Sequence, residues 1–226
     1  QGVDMKVYYH PASTTSRPLM LFAAENGMEI DFQVVDLFTG EHYKPLFEGI
    51  NPNRQVPVLE DGDFRLTESS AILKYLADSI NSPLYPKDLK QRARVNERMD
   101  WINTQLNRDL CYGLVYPQAF PHHKRPTDDL QRGTLSWAKD RASGWLKVLN
   151  DHILGKNAYL CGDKITIADY YGASFVHTAA VIGSDLSGYA NVKRWLASMK
   201  GLKSWAKTFE VIEGFAGSLK GPFVTV

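Results

Sequence analysis

Cysteine is scarce: Cys111 and Cys161 are the only two in 226 residues, too few for a disulfide framework. They lack the paired spacing of a metal site, and the adjacent His122 and His123 do not supply it. No Asn-x-Ser/Thr sequon is present, and together these absences point to a reducing, cytoplasmic compartment. Net charge is nearly missing too. Lys and Arg total 26 against 25 Asp and Glu, which leaves +1. There is then no basic field to draw nucleic acid or an anionic membrane. No apolar run approaches the roughly 20 residues of a membrane span. The opening QGVDMK lacks the basic-then-apolar layout of a signal peptide, and Gln1 to Asp4 read as an expression scar ahead of Met5. What is there is ordinary: 44% hydrophobic and 12% aromatic residues, the composition of a globular chain with a sizeable core.

The first third alternates strand and helix signals. Lys6 to Tyr9 is a β-rich run stopped by His10-Pro11; Pro18 to Glu25 reads as a helix closed by Asn26-Gly27. Phe32, Val34 and Val35 make a second strand. Val56 to Leu59 and Phe64 to Leu66 flank Asp61-Gly62 as a hairpin, and Ile72, Leu73, Leu76 and Ile80 recur at helical spacing. The order is β-α-β-loop-β-β-α, a small mixed sheet. The proline-rich NSPLYP segment, Asn81 to Pro86, reads as a linker carrying two exposed hydrophobes. Beyond it the pattern is helical throughout, and Ile167 to Ile182 is apolar around most of its circumference, the mark of a buried central helix. The expected architecture is α/β plus all-α, with domains over residues 5–82 and 90–215.

Four segments have the residue types for chemistry. In Pro11 to Arg17, four hydroxyls and an arginine meet a helix N-terminus, where free N–H groups and the helix dipole favour an anion such as a thiolate. Taken alone, the same residues also serve as a plain N-cap. In NPNRQVPVL, Asn51 to Leu59, a cis Val56–Pro57 bond turns the Val56 backbone outward toward a peptide-like ligand, whereas a trans bond makes an ordinary turn. Glu68 and Ser69 begin a helix. A carboxyl group beside a hydroxyl and free N–H groups suits the two charges of an amino-acid zwitterion, and equally suits a cap. In KITIAD, Thr166 and Asp169 are spaced as a capping box with a structural role.

Taken in order, the turn after strand one, VDLFTGEH, NPNRQVPVL, TESSAIL and the late T-x-x-D box resemble a cytosolic glutathione transferase, over about Lys6 to Phe215. The likeness is to theta-like and delta-like serine-type classes, including bacterial members. It implies a thioredoxin-like N-terminal domain that binds glutathione and an all-helical C-terminal domain that holds a hydrophobic electrophile. Carried over by position, Ser13 is the catalytic hydroxyl, with Thr14 as its alternative. Val56, before Pro57, pairs with the cysteinyl part of glutathione. Glu68 and Ser69 hold the γ-glutamyl end, and His42 contacts the glycyl end. Arg54 and Gln55 stand where the family often has Lys or His, and reach the glycyl carboxylate. The electrophile pocket takes Asn107, Leu110, Cys111, Leu114 and Val115, with the segment near Phe215 as a lid; Asn107 replaces an arginine of some theta members.

The implied chemistry uses glutathione as co-substrate, no metal, and a homodimer as the assembly. A thiol of pKa about 8.5 is mostly protonated at neutral pH, and lowering that value by about two units takes about 2.7 kcal/mol. One hydroxyl donating to the sulfur anion supplies about 1.5–3 kcal/mol. Two other readings stand beside a transferase: a glutathione-dependent dehalogenase of the same class, and a non-catalytic binding module on the same fold. A reductase would use a cysteine between His10 and Arg17, and none is there.

Overall fold

The computed structural model describes residues 4–226; Gln1, Gly2 and Val3 of the expected scar lie outside the described residues. The chain forms two compact units. The first comprises the chain through Ser82 together with Leu202–Ile212, and the second comprises Pro83–Gly201 with Glu213–Val226. The return of Leu202–Ile212 to the first unit differs from the expected continuous helical domain.

In the first unit the order is β1 (Met5–Tyr9), α1 (Arg17–Glu25), β2 (Asp31–Val34), α2 (Pro45–Ile50), β3 (Val58–Asp61), β4 (Phe64–Thr67) and α3 (Ser69–Ser79). The sheet runs β2-β1-β3-β4, with β1 and β2 parallel and the other pairs antiparallel, the thioredoxin-like arrangement. Its core is Val7, Leu19, Phe22, Leu59, Ile72 and Leu73, all fully buried. Three details depart from the sequence pattern. Asp61 pairs with Phe64, so the turn is Gly62-Asp63, with Gly62 at φ +60°. β3 begins at Val58 rather than Val56, because Pro57 has no N–H to give a ladder. Ile80 lies beyond the end of α3 and is 41% exposed. The loop expected between β2 and β3 holds α2, which buries Phe47 against Val35, Val56 and Val58.

The second unit is helical. α4 (Leu89–Trp101) runs on through Ile102–Val115, wound in the wider π form, into α5 (Tyr116–Ala119). α6 (Asp128–Val148) continues as Leu149–Leu154, and α7 (Ile167–His177), α8 (Ala190–Lys200) and the later residues of α9 (Trp205–Ser218) complete it. Tyr85, read as an exposed linker residue, is buried, with its hydroxyl donating to Asn96 at 2.9 Å.

Every residue of α7 is buried, as its all-round apolar pattern predicts. The capping box at its start is formed: Thr166 Oγ1 accepts from the Ala168 N–H at 3.2 Å, and Asp169 accepts from the Thr166 N–H at 2.8 Å. Asp169 also accepts from the Leu160 N–H and from Trp195 Nε1, both at 2.9 Å. Burial nevertheless pushes its carboxyl up to about 6. Among the described residues no helix is long and apolar enough to cross a membrane.

Candidate functional site

The turn between β1 and α1 is built from its own side chains. His10 Nδ1 accepts the Ala12 N–H at 3.0 Å, so this nitrogen carries no proton and the ring is neutral. Burial lowers the His10 pKa, and His42 adds to the effect against the opposing pull of Asp36. The His10 N–H donates to Ser16 Oγ at 3.3 Å. Ser16 is the N-cap by position, yet its own hydroxyl makes no cap bond. Arg17 is fully buried; Nη1 donates to the Ala12 carbonyl at 2.8 Å, and the guanidinium lies 5.2 Å from the Phe209 ring centroid. A positive charge thus sits beneath the turn.

Ser13 is half-buried at the head of α1, and its Oγ accepts the Ser16 N–H at 3.2 Å. Thr14, its alternative, is 6% exposed. Thr15 joins the segments: its hydroxyl is 3.1 Å from Ser13 Oγ and donates to the Val56 carbonyl at 3.1 Å, while its own carbonyl accepts from Ser69 Oγ at 2.5 Å. Ser13, Val56 and Ser69, three of the residues singled out from sequence, therefore meet around one residue that the sequence pattern places only within a group of four hydroxyls. Once its proton goes to Thr15, Ser69 Oγ no longer donates elsewhere. The unsatisfied N–H groups at the start of α3 are what an anion meets there. Glu68 is exposed, sits at φ +71° as the N-cap of α3, and makes no side-chain cap bond. A non-glycine residue in that region carries about 1–3 kcal/mol of backbone strain.

The Val56–Pro57 bond is cis. The loop leading to it is organised by Asn51, 2% exposed, which the sequence pattern did not single out. Asn51 Nδ2 donates to the Gln55 carbonyl at 2.9 Å, and its Oδ1 accepts the Asn53 N–H at 3.0 Å. Arg54 and Gln55 are exposed on this loop, with the Arg54 guanidinium 5.5 Å from the Tyr43 ring centroid. His42 packs on Tyr43 with ring centroids 3.9 Å apart and is only 8% exposed. A groove of about 750 Å³ on the first unit, lined by Met20, Met28, Phe32 and Val211, contains none of these residues.

The expected electrophile residues fall differently. Leu110, Cys111 and Leu114 are 0% exposed and Val115 1%, so they are core and cannot wall an open pocket. Cys111 Sγ lies 3.2 Å from Thr178 Oγ1, a packed thiol. Asn107 is 8% exposed, with Nδ2 donating to Asn103 at 3.1 Å. The surface of the same helix instead presents Tyr112, 44% exposed, edge-on to Tyr116 at 4.9 Å. Tyr116 meets Phe120 at 5.4 Å, and Phe120 stacks on Phe215 with an interplanar angle of 7°. Among the described residues no group of three His, Cys, Asp or Glu is placed to hold a metal.

Against known proteins, residues 3–78 match the model of the glutathione S-transferase N-terminal domain and residues 116–203 that of the C-terminal domain. The chain is 35% identical over 169 residues to human glutathione S-transferase theta-1, covering 74% of this chain and 70% of that protein. Among solved structures it resembles human glutathione transferase theta-2 in complex with glutathione and an unknown ligand. That likeness has TM-score 0.81 and 29% identity, covering 94% of this chain and 89% of that one. It also resembles a delta-class glutathione transferase of Nilaparvata lugens, with TM-score 0.78 and 32% identity over 94% and 97% of the two chains.

Proposed function

Because the chain belongs to the glutathione S-transferase family, a family of enzymes, we propose that it ionises bound glutathione by a hydrogen bond from Ser13 and delivers the thiolate to a hydrophobic electrophile. The observation that carries this reading is the setting of Ser13. Ser13 is half-buried in the turn that leads into α1 and its oxygen already accepts the Ser16 N–H, whereas Thr14 is buried. A hydroxyl whose oxygen accepts a hydrogen bond is a stronger donor. The helix dipole and the buried Arg17 favour the same negative charge.

The tripeptide lies along the residues that Thr15 joins in this reading. Its cysteinyl backbone pairs with Val56 before Pro57, and its γ-glutamyl carboxylate takes the N–H groups at the head of α3. Glu68 holds its ammonium, and Arg54, Gln55 and His42 serve the glycyl end; of these, buried His42 offers the least surface. The second substrate in this reading is a hydrophobic electrophile. Ser13 is a donor and not a nucleophile; the attacking atom is the sulfur. The working assembly is a homodimer in the cytoplasm.

The test is Ser13→Ala. A rise of about one to two units in the pKa of enzyme-bound glutathione, followed through thiolate ultraviolet absorbance, is expected from loss of a hydrogen bond worth about 1.5–3 kcal/mol. Turnover at neutral pH drops with it. Unchanged bound-thiol pKa and unchanged turnover would sink the assignment.

A further inference from the structure

Thr15 is not one of the residues that touch glutathione in the reading above, yet its hydroxyl stands between two that do. A hydroxyl has one proton and two lone pairs. Thr15 Oγ1 donates its proton to the Val56 carbonyl at 3.1 Å. The 3.1 Å contact between Ser13 Oγ and Thr15 Oγ1 then has Ser13 as donor. In the free protein the protons run one way, from Ser13 to Thr15 to Val56, and the Ser13 proton points at Thr15. Ser13 Oγ keeps one lone pair engaged by the Ser16 N–H and the other free.

We propose that Thr15 is a positioning residue that couples occupation of the Val56 carbonyl to the donor strength of Ser13. The inference rests on Ser13 being the donor to the glutathione sulfur. The Val56 carbonyl has two lone pairs; when the cysteinyl N–H of the ligand takes the one that the Thr15 hydroxyl uses, that hydroxyl turns about its Cβ–Oγ1 bond and donates to the remaining lone pair of Ser13 Oγ. The Ser13 proton turns in the same event from Thr15 to the sulfur. No covalent bond changes; two hydroxyl protons rotate and every donor keeps an acceptor. Ser13 then accepts two hydrogen bonds, from Thr15 and from Ser16, while it donates one to an anion, the arrangement in which successive bonds polarise each other. Peptide recognition at Val56 and acidification of the thiol become one event. The second contact of Thr15, its carbonyl accepting from buried Ser69, keeps its backbone fixed while the hydroxyl turns.

The test compares Thr15→Val, which keeps the volume and removes the hydroxyl, with Thr15→Ser, which keeps it, each also in the Ser13→Ala background. Thr15→Val is expected to raise the pKa of bound glutathione by about half a unit, the scale of losing one polarising partner on a charge-assisted bond. The KM for glutathione does not rise, because the ligand N–H no longer displaces a hydroxyl from the Val56 carbonyl. Thr15→Ser restores the wild-type pKa, and Thr15→Val adds no shift once Ser13 is alanine. A Thr15→Val enzyme with unchanged bound-thiol pKa overturns the coupling, as does a shift that persists in the Ser13→Ala background. If valine does not fold there, Thr15→Ala is read by the same criteria. A Ser13→Ala enzyme whose bound thiol titrates as in wild type removes the underlying assignment instead, so the two failures are distinct.

Discussion

At the scale of single residues, the site is a set of hydroxyls and N–H groups whose partners decide what each can still do. Ser16 has the residue type of a cap and spends its oxygen on His10; Ser69 has the type of an anion donor and gives its proton to Thr15. The residue types in the turn were legible in the sequence, since Ser, Thr and Arg before a helix announce an anion-friendly terminus. Their wiring was not, because each hydroxyl had several acceptors within reach and only tertiary placement chose among them. His10 shows the same limit. In the sequence it ends a strand; in the structure its neutral ring holds the Ala12 N–H. A histidine whose folded pKa is lowered contributes stability that is full above its unfolded pKa of about 6.5 and is lost as pH falls through that value toward the folded one. Thermal melting between about pH 7 and pH 5 is therefore expected to lose more stability in wild type than in His10→Asn, whose amide oxygen can accept the same N–H without titrating. Parallel melting profiles for the two proteins would show that His10 does not supply this term.

At the scale of elements, periodicity marked the core faithfully. Ile167 to His177 was legible as a buried helix because an all-round apolar pattern has no other stable setting, though the expected span to Ile182 runs past its end into a 3-10 turn that exposes Ala180. Along Ile102–Val115 the residues that the family resemblance assigned to the electrophile, Leu110, Cys111, Leu114 and Val115, are core. Tyr112 and Tyr116, four residues apart on another flank, carry the aromatic surface. A stripe of aliphatic side chains reports burial, whereas rings with a polar edge tolerate partial exposure. α2 escaped notice because six residues opening on a proline give too few turns for a periodic signal. Close packing supplies the test at this scale. A Cβ on Gly113 lies 2.8 Å from the Ala138 Cβ, but nothing lies within 4 Å of a Cβ on Gly133 of α6. Gly113→Ala is expected to destabilise by about 1–3 kcal/mol through overpacking. Gly133→Ala stabilises by up to about 1 kcal/mol through helix propensity. Denaturant titration of the pair distinguishes them, and equal effects would mean that α6 and Ile102–Val115 do not approach as closely as described.

At the scale of the whole molecule, the net charge of +1 leaves recognition of an anionic tripeptide to local groups. The KM for glutathione is expected to change less than about twofold between about 0.01 M and 0.15 M salt, although the Debye length falls from about 30 Å to about 8 Å. A tenfold change would reveal long-range steering that the composition does not suggest. The two-part organisation was legible from the proline-rich break near Ser82, but the return of Leu202–Ile212 to the first unit was not. There Trp205 stacks on Phe209 with centroids 3.7 Å apart, Phe209 lies against the Arg17 guanidinium, and the Ser204 N–H donates to Glu25 at 2.9 Å. Contacts 179 residues apart leave no local pattern to read.

Phe209 against Arg17 also sets an order of events during synthesis. The strands and helices of the first unit leave the ribosome early, but the ring that covers the charge beneath the Ser13 turn is translated on the order of ten seconds later, at typical elongation rates. Until then the nascent first unit holds a guanidinium without that part of its packing. The turn that holds Ser13 gains this packing only after Phe209 has been made.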